Sequence, residues 1–161
     1  MQIPNKHGSI ESMPLKLVII SVITSITIPA LWSAYNSYSN IQLENNLKFE
    51  IHKITSAINQ VYLGANGTSL KLEINLRNIE HLKLGDSLGG EYSTVIRYKL
   101  KGSSEQVIPV SEDVQIASGE NTALILYSGS YTLLFTHINY DINGDNKIGI
   151  NERYVEAKII M

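Results

Sequence analysis

The stretch from Met13 to Trp32, MPLKLVIISVITSITIPALW, decides how the rest of the chain is read. It lies close to the N-terminus, behind a short polar leader that ends in Gly8. Leu17 to Trp32 carries no charged residue. As a helix, those 16 residues rise roughly 24 Å, against a hydrocarbon core of roughly 30 Å. Adding Met13–Lys16 closes most of the gap, provided the Lys16 ammonium snorkels to the interface. An isolated segment this apolar has to be covered by lipid, by a signal-peptide pathway, or by other copies of itself.

Composition narrows what lies beyond it. A chain of 161 residues is one modest domain plus an appendage. The formal net charge of -2 supplies no electrostatic footprint for nucleic acid. There is no cysteine, which removes disulfides, thiolate metal sites and a cysteine nucleophile. The four histidines (His7, His52, His81, His137) are dispersed. Nine tyrosines against two phenylalanines suit a sheet surface. H-E-x-x-H, P-loop and G-x-G-x-x-G motifs are missing from the sequence, Gly85-Asp86-Ser87-Leu88-Gly89 fits the letters of G-x-S-x-G only within a turn signal, and no enzyme activity is expected.

Past Ser33 the sequence turns polar while helical periodicity persists. Leu43, Leu47, Ile51, Ile54, Ile58 and Val61 form one apolar stripe. Glu44 and Lys48 stand four apart in the favourable order. Gly64 is a natural stop. One long helix is therefore expected from about Pro14 to Leu63, kinked or locally melted at Pro29, where a backbone hydrogen bond is lost. Its second half should pack on the domain that follows.

From Ser69 onward the pattern is β. Leu70, Leu72, Ile74 and Leu76 alternate with polar residues. Tyr92–Leu100, Gln106–Val110, Val114–Ala117, Ala123–Tyr127, Tyr131–Tyr140 and Tyr154–Ile160 also read as strands, separated by turn signals such as Gly85-Asp86 and Ser128-Gly129. The fold class is thus α+β: a long apolar, then amphipathic helix followed by an antiparallel sandwich-like head. The expected divisions are a leader over 1–8, a helix over 9–63 with its membrane or filament-core part at about 13–32, and a β-rich head over 64–161.

Two local motifs stand out in the head. Asn66-Gly67-Thr68 is an N-glycosylation sequon in a turn. Asp141, Asn143, Asp145 and Glu152 occupy positions 1, 3, 5 and 12 of a calcium loop, with the Lys147 carbonyl at position 7. An oxygen-rich set of this kind selects a hard cation, so a structural Ca2+ is the cofactor it suggests. Asn146 stands where an EF-hand has glycine. The competing reading is a polar hairpin loop.

Three readings of the N-terminus compete. A cleaved secretory signal needs a small-x-small site, and Ser33-Ala34-Tyr35 is not one. A single-pass anchor, with Lys6 and Lys16 inside, displays the head outside the membrane as a binding module. The third uses more of the residues. Lys6-His7-Gly8, then Ser9-Ile10-Glu11, a long apolar run, Ile28-Pro29-Ala30 and Tyr35 together resemble the class III signal peptide of archaeal type IV pilin-like proteins. The resemblance covers about Lys6 to Tyr38 and implies the following. A prepilin peptidase would cut between Gly8 and Ser9. Glu11 would pair with a neighbour's new α-amino group, and Pro29 would be the mid-helix proline. The helix would polymerise with other pilin subunits. The protein would start in the membrane and end in a surface filament for adhesion, motility or secretion. A secreted hydrolase with an unrecognised site is the remaining rival.

Overall fold

The computed structural model describes residues 12–111, 113–140 and 153–160. Helix α1 runs over Ser12–Tyr62, 51 residues, with Pro29 inside it. Eight strands follow among the described residues: β1 Ser69–Leu76, β2 Ile79–Leu84, β3 Val95–Leu100, β4 Glu105–Pro109, β5 Gln115–Ala117, β6 Leu124–Leu126, β7 Gly129–Asn139 and β8 Arg153–Ile160. They make two four-stranded sheets, ordered β1-β7-β8-β5 and β4-β3-β2-β6. The chain divides into two compact units, Met1–Gln42 and Leu43–Met161.

The helical stripe predicts its own burial. Leu47, Ile51, Ile54, Ile58 and Val61 are all buried, with Ala57 beside them, and Leu43 is half-buried where the stripe begins. They join one apolar cluster with both sheets. The first sheet contributes Ile74, Leu76, Leu133, Phe135 and Val155; the second contributes Leu82, Leu84, Ile96, Tyr98 and Leu126. Complete burial of side chains this large stabilises by about 1.5–3 kcal/mol each before chain entropy is charged against it. On the polar side of the helix, Lys48 Nζ lies 2.7 Å from Glu44 Oε1, the pair the spacing predicts.

Gly64 does end the helix, but by a different device from the left-handed cap. Its N–H donates to the Val61 carbonyl at 3.0 Å, and its φ is not positive. A Cβ placed there would fall 2.5 Å from Thr68 Oγ1, so glycine is required for close approach. The Gly64 carbonyl accepts from His137 Nδ1 at 2.9 Å, and the buried His137 ring lies 5.5 Å from Tyr62. The helix end is thereby fixed to β7.

The sheets are joined at a corner. β1 pairs with β7 in one sheet and β2 pairs with β6 in the other. Two residues, Arg77 and Asn78, carry β1 into β2; two more, Tyr127 and Ser128, carry β6 into β7. Ser128 Oγ accepts from the Ile79 N–H at 3.1 Å and donates to the Ile79 carbonyl at 2.8 Å, clipping one bend to the other. Two bent strands thus pass from sheet to sheet, a known way of making a corner. The Ser128-Gly129 signal marks this corner and not a hairpin.

The head is not wholly antiparallel, because β5 runs parallel to β8. And β2, unanticipated, forms over IEHLKL. Its register shifts between Ile79 and His81, leaving Glu80 as an extra residue. The bulge spaces the inward residues Ile79 and Leu82 by three, which hides the strand's period of two.

On the outer face of the second sheet, His81 Nε2 lies 2.8 Å from Glu105 Oε1, and Lys83 approaches the same oxygen at 3.4 Å. The hydrogen bond from His81 is the main cause that lowers the Glu105 pKa from the usual carboxylate value. The two sheets also meet beyond β2. Asp86 N–H donates to the Ile116 carbonyl at 3.2 Å, and Ile116 N–H donates to the Ser93 carbonyl at 2.7 Å. Gly85 makes this possible: its φ is +63°, and a Cβ would sit 1.8 Å from the Ile116 oxygen. Gly85→Ala combines a left-handed non-glycine residue with a backbone clash. We expect it to destabilise the head by about 2–4 kcal/mol in chemical denaturation; an unchanged midpoint would show that β5 is not held against this turn.

Candidate functional site

The chain's most distinctive surface is the first part of α1. Eleven large apolar side chains from Leu15 to Trp32 stand exposed, from 49% at Ile19 to 67% at Ile26 and Trp32. They occupy every side of the helix. This is the pattern of a helix that needs an apolar surrounding on all sides, and it differs from the one-sided stripe of Leu47–Val61. The helix is long and apolar enough to cross a membrane. At roughly 2 kcal/mol for each side chain removed from water, covering the eleven is worth on the order of 20 kcal/mol.

The residues that compose it suit that demand. Val and Ile lower intrinsic helix propensity in water, but with every backbone bond internal, a helix is the form an apolar medium favours. Ser25 disposes of its hydroxyl locally, Oγ donating to the Val22 carbonyl at 2.8 Å. Helical structure continues through Pro29, so of the kink or local melting expected there, the melting does not occur. Proline's fixed φ is already helical, and the loss is one hydrogen bond, that to the Ser25 carbonyl. Ser21, Thr24, Ser25, Ile28 and Pro29 line a shallow notch there.

Gly8, Ser9 and Glu11 lie outside the described residues, as do Asp141, Asn143, Asp145, Lys147 and Glu152 of the calcium motif. What is described is the frame around that motif: Asn139 of β7 pairs with Arg153 of β8. The motif therefore connects two antiparallel strands, whereas an EF-hand loop connects two helices. Among the described residues no cluster of three His, Asp or Glu side chains has the geometry to hold a metal ion.

Asn66 is exposed in a turn closed by the Thr68 N–H donating to the Ala65 carbonyl at 2.9 Å. Its Oδ1 accepts from the Asn139 N–H at 3.0 Å. This fixes which end of the carboxamide faces the protein and leaves Nδ2 to the solvent side. The three described histidines do not converge: His52 is exposed on α1, His81 is held by Glu105, and His137 is a packing residue.

The head also carries an open groove beside α1, lined by Glu50, Lys53, Glu73, Ser130, Tyr131 and Thr132. Lys53 Nζ binds Glu50 at 2.8 Å and reaches the Glu73 carbonyl at 3.3 Å. Ile74, Ile159 and Ile160 add apolar surface to its wall, and the ion pair occupies its helical side. No known protein family, curated protein or solved structure matches this chain.

The core begins at Leu47, within the second compact unit. A chain starting at Leu43 should therefore fold as the head does in the full protein, with a melting midpoint within about 5 °C, the shift that roughly 1 kcal/mol produces. It should also lose the full chain's association with phospholipid vesicles. Retained vesicle binding, or an unfolded head, would contradict this division.

Proposed function

We propose that this chain is a pilin-like structural subunit: inserted in a membrane through its apolar helix, clipped by a prepilin peptidase between Gly8 and Ser9, and assembled with other subunits into a surface filament. The observation that carries the reading is the pairing of eleven uncovered apolar side chains with a folded β-rich head along one unbroken helix. A lipid bilayer covers such a helix before assembly, and sister helices cover it afterwards. This scheme gives Glu11 a role. In a bundle of apolar helices, the new α-amino group of Ser9 is costly to bury alone, and a neighbouring carboxylate offsets that cost and sets the axial register.

The second reading is a single-pass anchored binding module. The open groove along Glu50, Lys53 and Tyr131 favours it, because a ligand held there needs no polymer. The two readings part at the N-terminus. Intact mass of the native protein should correspond to a chain beginning at Ser9, and a Gly8→Asp variant should keep its leader. Sheared surface material should contain filaments by electron microscopy. A native mass that retains the leader, together with absence of filaments, would leave the anchored module standing. The same spectrum reads Asn66: an N-linked glycan adds mass that an Asn66→Gln variant lacks.

Calcium belongs to the proposal as a structural ion between β7 and β8. Asp141, Asn143, Asp145 and Glu152 would supply side-chain oxygens, and Lys147 its carbonyl. Calcium should then slow proteolysis of the head and give a measurable heat of binding, both lost in Glu152→Gln. A flat titration of the wild-type head would remove the ion from the scheme.

A further inference from the structure

The apolar helix has two dissimilar ends. Toward the N-terminus the boundary is a single charge, Lys16. Toward the head it is a group of aromatic residues, Trp32, Tyr35 and Tyr38, each more than 60% exposed. No residue between Lys16 and Glu44 is charged, so charge alone does not say where the apolar environment stops on that side. The aromatic residues do. Trp32 and Tyr35 lie three apart with ring centroids separated by 6.5 Å. Ile28 and Leu31 continue the same apolar surface below them. One step further, the Tyr38 hydroxyl accepts a hydrogen bond from the Gln42 amide at 2.6 Å. Along this side the surface grades from aliphatic, to indole and phenol, to a phenol whose tip is in a polar hydrogen bond.

That gradient matches one solvent in particular. Trp and Tyr are enriched where hydrocarbon meets headgroups, because an apolar ring and a polar tip are both satisfied there. We infer that Trp32, Tyr35 and Tyr38 form a collar seated in the headgroup layer of a phospholipid leaflet and fix how deep the helix sits. The spacing agrees: from Lys16 to Tyr35 the helix rises roughly 28 Å, close to the roughly 30 Å hydrocarbon core. Lys16 reaches the opposite headgroup layer along its aliphatic stem. Pro29 then lies just inside the hydrocarbon, about 4–5 Å below Trp32 at a rise of 1.5 Å per residue. The inference rests on the membrane-resident stage of the function proposed above and on neither cleavage nor polymerisation.

Trp32 is the only tryptophan, so its fluorescence reports the collar alone. The full-length Gly8→Asp chain, reconstituted in phosphatidylcholine vesicles, is read with acyl chains brominated at shallow, middle or deep positions. Shallow bromines should quench Trp32 at least about twofold more than deep ones, as an interfacial indole requires. A Tyr35→Ala/Tyr38→Ala variant should let Trp32 settle deeper and move the strongest quenching inward. Strongest quenching by deep bromines in the parent chain would overturn the assignment, and so would a blue-shifted indole that no bromine reaches, as expected between protein copies. An unmoved profile in the double variant would strip the tyrosines of their part. Because this chain keeps its leader, shallow quenching alongside missing filaments rejects the polymer and leaves the collar intact; filaments with deep quenching do the reverse.

Discussion

One helix carries two kinds of surface, and the fold follows from where each finds cover. Leu47, Ile51, Ile54, Ile58 and Val61 repeat at three and four and present one stripe, which a two-sheet head buries. Leu15 to Trp32 is apolar all round, and its large side chains stand exposed. The first surface makes a domain. The second makes a demand on the surroundings that the chain alone cannot meet.

The head answers its own constraint with short connections. Both sheets need the same helical stripe, and β1–β2 and β6–β7 reach it by turning a corner in two residues each. Such abrupt bends strand backbone groups. The Ser128 hydroxyl serves both the N–H and the carbonyl of Ile79, where a neighbouring strand would otherwise do so. Gly85 and Gly64 act at the other tight places, where backbone or side-chain atoms leave no room for a Cβ.

Much of this was legible in the residue pattern because a single period governs each legible part. The stripe on α1 and the alternation in β1 each follow one geometry without interruption, and both are buried as read. β2 was hidden because the bulge at Glu80 breaks its period, and a three-residue spacing in a short run resembles nothing definite. The corner escaped because a two-residue polar connection reads equally well as a hairpin. The parallel partnership of β5 and β8 is non-local, and no adjacent residues encode it. At Pro29 the helical run continues across the missing donor, where the residue pattern alone allows either a kink or a break. The aromatic group at Trp32–Tyr38 was readable as composition, but its gradation from apolar to hydrogen-bonded emerges only with the Gln42–Tyr38 bond.

The corner also bears on how the head would respond to force. Each bent strand belongs to both sheets, so neither sheet can be peeled away as an independent flap. A load that separates β1 from β7 passes through the Ser128 clip to β2 and β6 before those strands yield. Strain on one ladder is therefore passed to the other through the corner, and the two sheets of the head are coupled mechanically as well as by their shared core.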